Sequence, residues 1–230
     1  MPIKFKENPR TGAENKRVEN GGEMHLPFAL LVDTSGSMEV SVDKLNEGLR
    51  MFGELLKEDS QAVGRVEISI ITYDDDARVL VPFGPAYDYE APRVTCGGMT
   101  AMHEAVDLAL REIEARKEQY KETQTPYYRP WIINMSDGAP NDTDNGAFAR
   151  LKKAQEDKHC TYFSVAIGES ANIPLLKSLS IQNKVLKVDR EDLKSVFVWL
   201  SNSLSKTSNS NPGDKVPLPD PRDYQIEIEA

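Results

Sequence analysis

The stretch that decides the fold is Leu26-Pro27-Phe28-Ala29-Leu30-Leu31-Val32-Asp33-Thr34-Ser35-Gly36-Ser37-Met38. Its apolar run is too short for an ordinary helix or a membrane span, and it stops at a carboxylate followed by hydroxyl, glycine and hydroxyl. Such a pattern predicts a buried strand running into a site loop. From Val42 onward Leu45, Leu49, Phe52, Leu55 and Leu56 recur at helical spacing, so the loop joins a strand end to a helix start. Open α/β sheets bind ligands at such junctions.

The loop offers only oxygen. Asp33 supplies a carboxylate, Ser35 and Ser37 supply hydroxyls, and Gly36 between them permits a tight path. With no His or Cys nearby, this donor set suits a hard cation such as Mg²⁺, Mn²⁺ or Ca²⁺ and does not suit zinc or copper. An ion held by so few charges keeps much of its own and favours a further anionic oxygen from outside. A second strand, Trp131-Ile132-Ile133-Asn134-Met135, ends the same way at Ser136-Asp137-Gly138.

At these residues the chain resembles the von Willebrand factor A (VWA) domain family. That family's metal-ion-dependent adhesion site (MIDAS) uses Asp-x-Ser-x-Ser, a Thr on a second loop and an Asp on a third. Asp33-Thr34-Ser35-Gly36-Ser37 matches the first element, Thr100 in Gly97-Gly98-Met99-Thr100 the second, and Asp137 the third. Met99 stands where the commoner family form has Thr directly after the glycines. The resemblance implies that Ser35, Ser37 and Thr100 bind the cation directly, with Asp33 and Asp137 bound directly or through water. Mg²⁺ is the foremost cation, and a protein partner supplies an Asp or Glu to the open position. Within the family, Leu26-Pro27 and Cys96-Gly97-Gly98-Met99-Thr100 are most similar to bacterial stand-alone TerY-type proteins of tellurium-resistance and stress operons. That similarity implies an intracellular scaffold beside a Ser/Thr kinase and a phosphatase, and Thr100 is then a candidate phosphorylation site.

The rest of the chain fills in an α/β domain. Val66 to Tyr73 and Val79 to Phe83, linked by Asp74-Asp75-Asp76, predict an antiparallel hairpin whose aspartates form a solvated turn. Prolines 82, 85 and 92 predict an irregular crossing that delivers Thr100 to a helix N-terminus, as ligand or as cap. The charged run 112–121 is expected to be the solvated end of that helix, and His103 a surface or core-edge residue. Asn141-Asp142-Thr143-Asp144-Asn145-Gly146 has the look of a calcium loop, but lysine (Lys152-Lys153) stands where the bidentate Glu belongs, so helix capping is the better account. A strand at Thr161 to Ile167, a short helix at 173–179, a strand at Val185 to Val188 and an amphipathic helix from Leu193 complete the pattern. The expected fold is VWA or Rossmann-like: a mostly parallel sheet of about six strands, one antiparallel edge strand, and helices on both faces.

Domain organisation is expected as a polar arm over residues 1–24, the VWA domain over 25–206, and a Ser/Asn/Pro-rich tail over 207–230. The tail is read as flexible or extended, with docking on a partner or on the domain itself as the alternative. Net charge is −9 over 230 residues, which argues against nucleic acid and anionic membranes as partners. With no spanning run, no signal-peptide core and only two cysteines, Cys96 and Cys160, the expected location is the cytoplasm. Enzyme readings fare poorly. A haloacid-dehalogenase-type phosphotransferase would need an acid/base Asp where Ser35 stands, and neither a nucleotide loop nor a Ser-His-Asp set is present.

Overall fold

The computed structural model describes residues 22–211 and 214–229. Its centre is β1 (Leu26–Asp33), in which all eight residues are buried. A strand buried on both faces must be covered by helices on both sides, and that requires parallel neighbours joined by crossovers. After a 3₁₀ turn (Gly36–Ser41) come α1 (Val42–Glu58), α2 (Ala62–Arg65), β2 (Val66–Tyr73) and β3 (Ala77–Pro85). They are followed by α3 (Met102–Thr123), β4 (Trp131–Ser136), α4 (Ala147–Glu156), β5 (Thr161–Ile167), α5 (Ile173–Leu179) and β6 (Val185–Val188). A 3₁₀ turn (Arg190–Asp192), α6 (Leu193–Ser208), another 3₁₀ turn (Pro221–Tyr224) and β7 (Glu227–Glu229) close the described chain.

The strand order is β3-β2-β1-β4-β5-β6-β7. The five inner strands are parallel, and β3 and β7 run antiparallel on the two edges. β1 lies between β2 and β4, so the order reverses there, and Val32 stands in register with Met135. Their strand ends therefore open side by side into the crevice where such sheets hold ligands. Alternation along β1 feeds two cores. Phe28, Leu30 and Val32 pack with α1 and α6, while Ala29 and Leu31 pack with α3, α4 and α5. Among the described residues no helix is long and apolar enough to cross a membrane.

Two expectations are corrected. The sheet has a seventh strand, and it comes from the tail: β7 pairs with β6, Ile226 is fully buried, and the Trp199 indole donates to the Pro219 carbonyl at 2.9 Å. The segment is thus part of the domain, as the docking alternative held. A single buried apolar residue and one strand pairing suffice to seat it, too little for periodicity to show. The run 112–121 is not wholly solvated either. Arg116 and Tyr120 are buried and both bond Glu67, because a helix packed flat on a sheet turns one face inward whatever its charge. The polar arm, apart from residues 22–24, lies outside the described residues.

Candidate metal centre

β1 and β4 end side by side, and each ends on a carboxylate. Asp33 is fully buried; its Oδ1 accepts the Ser35 amide at 2.9 Å and its Oδ2 accepts the Ser136 hydroxyl at 2.5 Å. The first bond folds the chain back on itself directly after the strand, which turns Ser35 and Ser37 toward the neighbouring strand end. There the Ser37 hydroxyl donates to Asp137 Oδ1 at 2.7 Å across 100 residues of sequence, and the Ser35 and Ser37 hydroxyls stand 3.1 Å apart. Four of the five expected ligands are therefore joined by hydrogen bonds: Ser35, Ser37 and Asp137 through their side chains, and Asp33 through the Ser35 amide. Ser37 is exposed and the other three are buried, so the cluster faces solvent through Ser37.

Thr100 reaches the same place through its backbone. The Gly97 amide donates to the Thr34 carbonyl at 2.9 Å, and the Gly36 amide to the Gly98 carbonyl at 3.2 Å, so the second loop lies on the first. Asn141 ties it to the third: its Oδ1 accepts the Thr100 amide at 2.7 Å, and its own amide donates to the Thr100 carbonyl at 3.2 Å. Three loops thus meet at one end of the sheet, with Thr100 only 6% exposed among them.

Of the two roles weighed for Thr100, ligand or cap, the second is not met: Thr100 stands just before the cap of α3. The cap residue is Ala101, and the amides of His103 and Glu104 go to the Asp142 carboxylate at 3.3 and 2.9 Å. Asp142 also faces His103 Nδ1 at 2.8 Å, and that ring stacks on Phe148 at 4.1 Å, placing His103 as a buried positioning group. Capping was the right account of the 141–146 run, but its members cap two helices. Asp142 serves α3, while Asn145, whose Oδ1 accepts the Ala147 amide, serves α4. Asp74 and Asp75 also do more than line a turn, since Asp74 accepts the Thr34 hydroxyl at 3.2 Å and Asp75 accepts the Met99 amide at 2.9 Å.

The electrostatics fit a cation. Burial pushes the Asp33 carboxyl above its ordinary range; the Ser136 and Ser35 hydrogen bonds pull it back, and the Asp137 charge adds to the rise. A positive ion beside it reverses the balance, because opposite charge favours the ionised form. Among the described residues no group of three His, Cys, Asp or Glu is placed to hold a metal ion. An ion here would meet two carboxylates and hydroxyls, a donor set for a hard cation. A residue that the motif does not contain completes the site: Arg190 Nη2 donates to Asp137 Oδ2 at 2.7 Å. Of the residues missed in the sequence, Ser136 sits beside Asp137 and Asn141 follows a strand end, both visible positions. Arg190 carries no local signal.

The fold is that of the von Willebrand factor A domain. One solved neighbour is the ArnB paralog VWA2 of Sulfolobus acidocaldarius, with TM-score 0.56 and 21% identity over 78% of this chain and 45% of that one. Another is a von Willebrand factor type A protein of Catenulispora acidiphila, with TM-score 0.61 and 16% identity over 80% and 43%. A third is proximal thread matrix protein 1 of the mussel byssus, solved with a zinc-occupied MIDAS motif, with TM-score 0.55 and 15% identity over 80% and 48%. The chain spans less than half the length of each of these neighbours. No protein-family model matches the sequence, and no curated protein matches it.

Proposed function

We propose that this chain is a cation-dependent protein-binding module. Ser35, Ser37 and Thr100 hold a divalent ion directly, Asp33 and Asp137 hold it directly or through water, and a partner's Asp or Glu completes the coordination. The observation that carries this reading is the 2.7 Å bond from Ser37 to Asp137, which joins the ends of two strands through the side chains the motif requires. Two apolar side chains near the site support a protein partner: Val40, 78% exposed on the first 3₁₀ turn, and Met99, 53% exposed on the second loop. Mg²⁺ is the cation of first choice, with Mn²⁺ and Ca²⁺ next. The mussel neighbour's zinc limits how far the oxygen donors alone exclude that metal.

On the sequence resemblance, the module acts as a cytoplasmic, non-enzymatic scaffold of the TerY type in a stress or tellurium-resistance system. Phosphorylation of Thr100 by a partner kinase is the weaker reading, because the residue is buried and its amide is bound to Asn141, so the loop would have to open first. Calorimetric titration with Mg²⁺ and Mn²⁺, wild type beside Asp33→Ala, tests the proposal. Heat of binding in the wild type that disappears in the variant is the expected result. Equal traces from both would leave no working site.

A further inference from the structure

Arg190 is built into the metal centre. It opens the 3₁₀ turn after β6 and reaches the site from a fourth loop, which the three-loop motif does not include. Besides Asp137 Oδ2 at 2.7 Å, its guanidinium donates to the Ser41 hydroxyl at 2.9 Å, the Ser37 carbonyl at 3.3 Å and the Ser170 hydroxyl at 3.5 Å. The backbone makes room for it at Gly168. That residue has φ +75°, and a Cβ there would stand 2.8 Å from Arg190 Nε, so both the conformation and the space call for glycine. The Arg190 side chain is 26% exposed while that of Asp137 is fully buried, which puts the guanidinium at the mouth of the site with one edge in solvent.

The charges follow from this placement. Asp33 and Asp137 neutralise a divalent ion between them, and Arg190 then leaves the loaded centre with one net positive charge. A guanidinium on the same carboxylate repels an incoming ion and weakens its hold on Asp137. It also offers a carboxylate a planar, two-pronged donor next to the ion. The long Ser170 contact is the one an entering carboxylate would replace.

We propose that Arg190 is the specificity-determining residue of this centre: an acidic side chain from the partner is held between the ion and the guanidinium, so ion and acidic ligand bind cooperatively. This rests on the metal-dependent reading given above and adds the residue that selects the ligand's charge. Such coupling is reciprocal, since whatever the carboxylate gains from the ion the ion gains from the carboxylate.

The test uses the full chain, Mn²⁺ as the ion and acetate as the carboxylate probe, with Arg190→Gln, Arg190→Lys and Asp33→Ala beside the wild type. Thermal unfolding confirms that each variant is folded. In chloride buffer Arg190→Gln is expected to bind Mn²⁺ about tenfold more tightly than the wild type, with Arg190→Lys close to the wild type because the charge is kept. Replacing chloride by acetate at constant ionic strength should tighten Mn²⁺ binding severalfold in the wild type and clearly less in Arg190→Gln. Folded Arg190→Gln that binds Mn²⁺ no better than the wild type, or an equal acetate effect in both, overturns the role of Arg190 while the metal site stands. A wild type indistinguishable from Asp33→Ala, with no Mn²⁺ bound to any variant, overturns the underlying reading and this inference with it.

Discussion

Asp75, in the turn between β2 and β3, accepts the amide hydrogen of Met99 on its Oδ1 at 2.9 Å, so a hairpin turn holds the loop that carries Thr100. The fit is close. Gly98, at φ +74°, lies so near that a Cβ on it would stand 2.7 Å from the same carboxylate oxygen. The Asp74 carbonyl meanwhile accepts the Ala101 amide at 2.9 Å on the other side of Thr100.

Asp75→Ala should therefore loosen the second loop without disturbing the sheet. Because Asp75 is exposed, the lost bond costs about 0.5 kcal/mol of stability, below the range for a hydrogen bond to a buried charged group. The larger effect falls on the site: severalfold weaker Mn²⁺ binding by titration, beside a nearly unchanged urea midpoint. Unchanged affinity would show that the Thr100 loop does not depend on the hairpin.

A second prediction concerns Asp33. Burial holds its folded-state carboxyl above the unfolded value of 3.8, so the folded state binds more protons than the unfolded state in that window. Stability from this group is then greatest at low pH and falls as pH rises from 3.8 through the raised value. At neutral pH without metal, the ionised form is a cost to the fold. Asp33→Asn should accordingly match or exceed the wild-type melting temperature in chelator. In excess Mg²⁺ the order should reverse, because ligand binding stabilises only the chain that binds it. Differential scanning calorimetry in both buffers reads the crossover.

The sequence announces what lies close to a strand end and conceals what arrives from elsewhere. Asp33, Ser35, Ser37 and Asp137 were legible because an apolar run that stops at a carboxylate is a local pattern, and two such runs in parallel must finish at the same edge. The roles of Asp75 and Arg190 were not, because each acts on a loop distant in sequence: Arg190 reaches Asp137 across 53 positions, and Asp75 reaches Met99 across 24. No periodicity encodes a side chain that binds a distant loop. The same holds for Arg116, which sits in a run of charges and is distinguished only by Glu67 on the strand beneath it.

That buried pair gives a third prediction. Glu67 Oε2 accepts from Arg116 Nε at 2.6 Å and from the Tyr120 hydroxyl, and His25 Nδ1 lies 2.9 Å from Oε1. Burial alone would raise the carboxyl; bonds from His25, Arg116 and Tyr120 outweigh it and bring the value down to about 2, against 4.5 unfolded. A depressed acid contributes stability that is present above 4.5 and is lost as pH falls toward about 2. Glu67→Gln leaves Arg116 buried beside a neutral group, at a cost of about 3 to 5 kcal/mol near neutrality. Urea unfolding at neutral and acid pH should show the wild type losing ground over that window and the variant, weaker from the start, losing less.

The last prediction follows from the tail. Ile226 is buried to 1% exposure at the end of the final 3₁₀ turn, its amide donating to the Pro221 carbonyl at 3.2 Å. Leu186 and Ile228 pair across β6 and β7, and the Asn202 side-chain amide donates to the Tyr224 hydroxyl at 2.9 Å. The segment thus covers the α6 and β6 edge of the apolar core and closes over Trp199, which is itself buried. Ile226→Ala should cost about 2 kcal/mol, the lower end for a buried Ile→Ala change, since a site covered only by a three-residue edge strand and a 3₁₀ turn can partly collapse. Ending the chain at Asn211 removes the whole cover. It should shift Trp199 emission to the red and lower the urea midpoint by more than Ile226→Ala does, because it also exposes the open edge of β6. Mn²⁺ affinity should hold in both, since β7 lies at the opposite edge of the sheet from β3 and is separated from β4 by two strands, β5 and β6. A truncated chain that unfolds at the same urea concentration as the full one would mean that the last strand rests on the domain without supporting it.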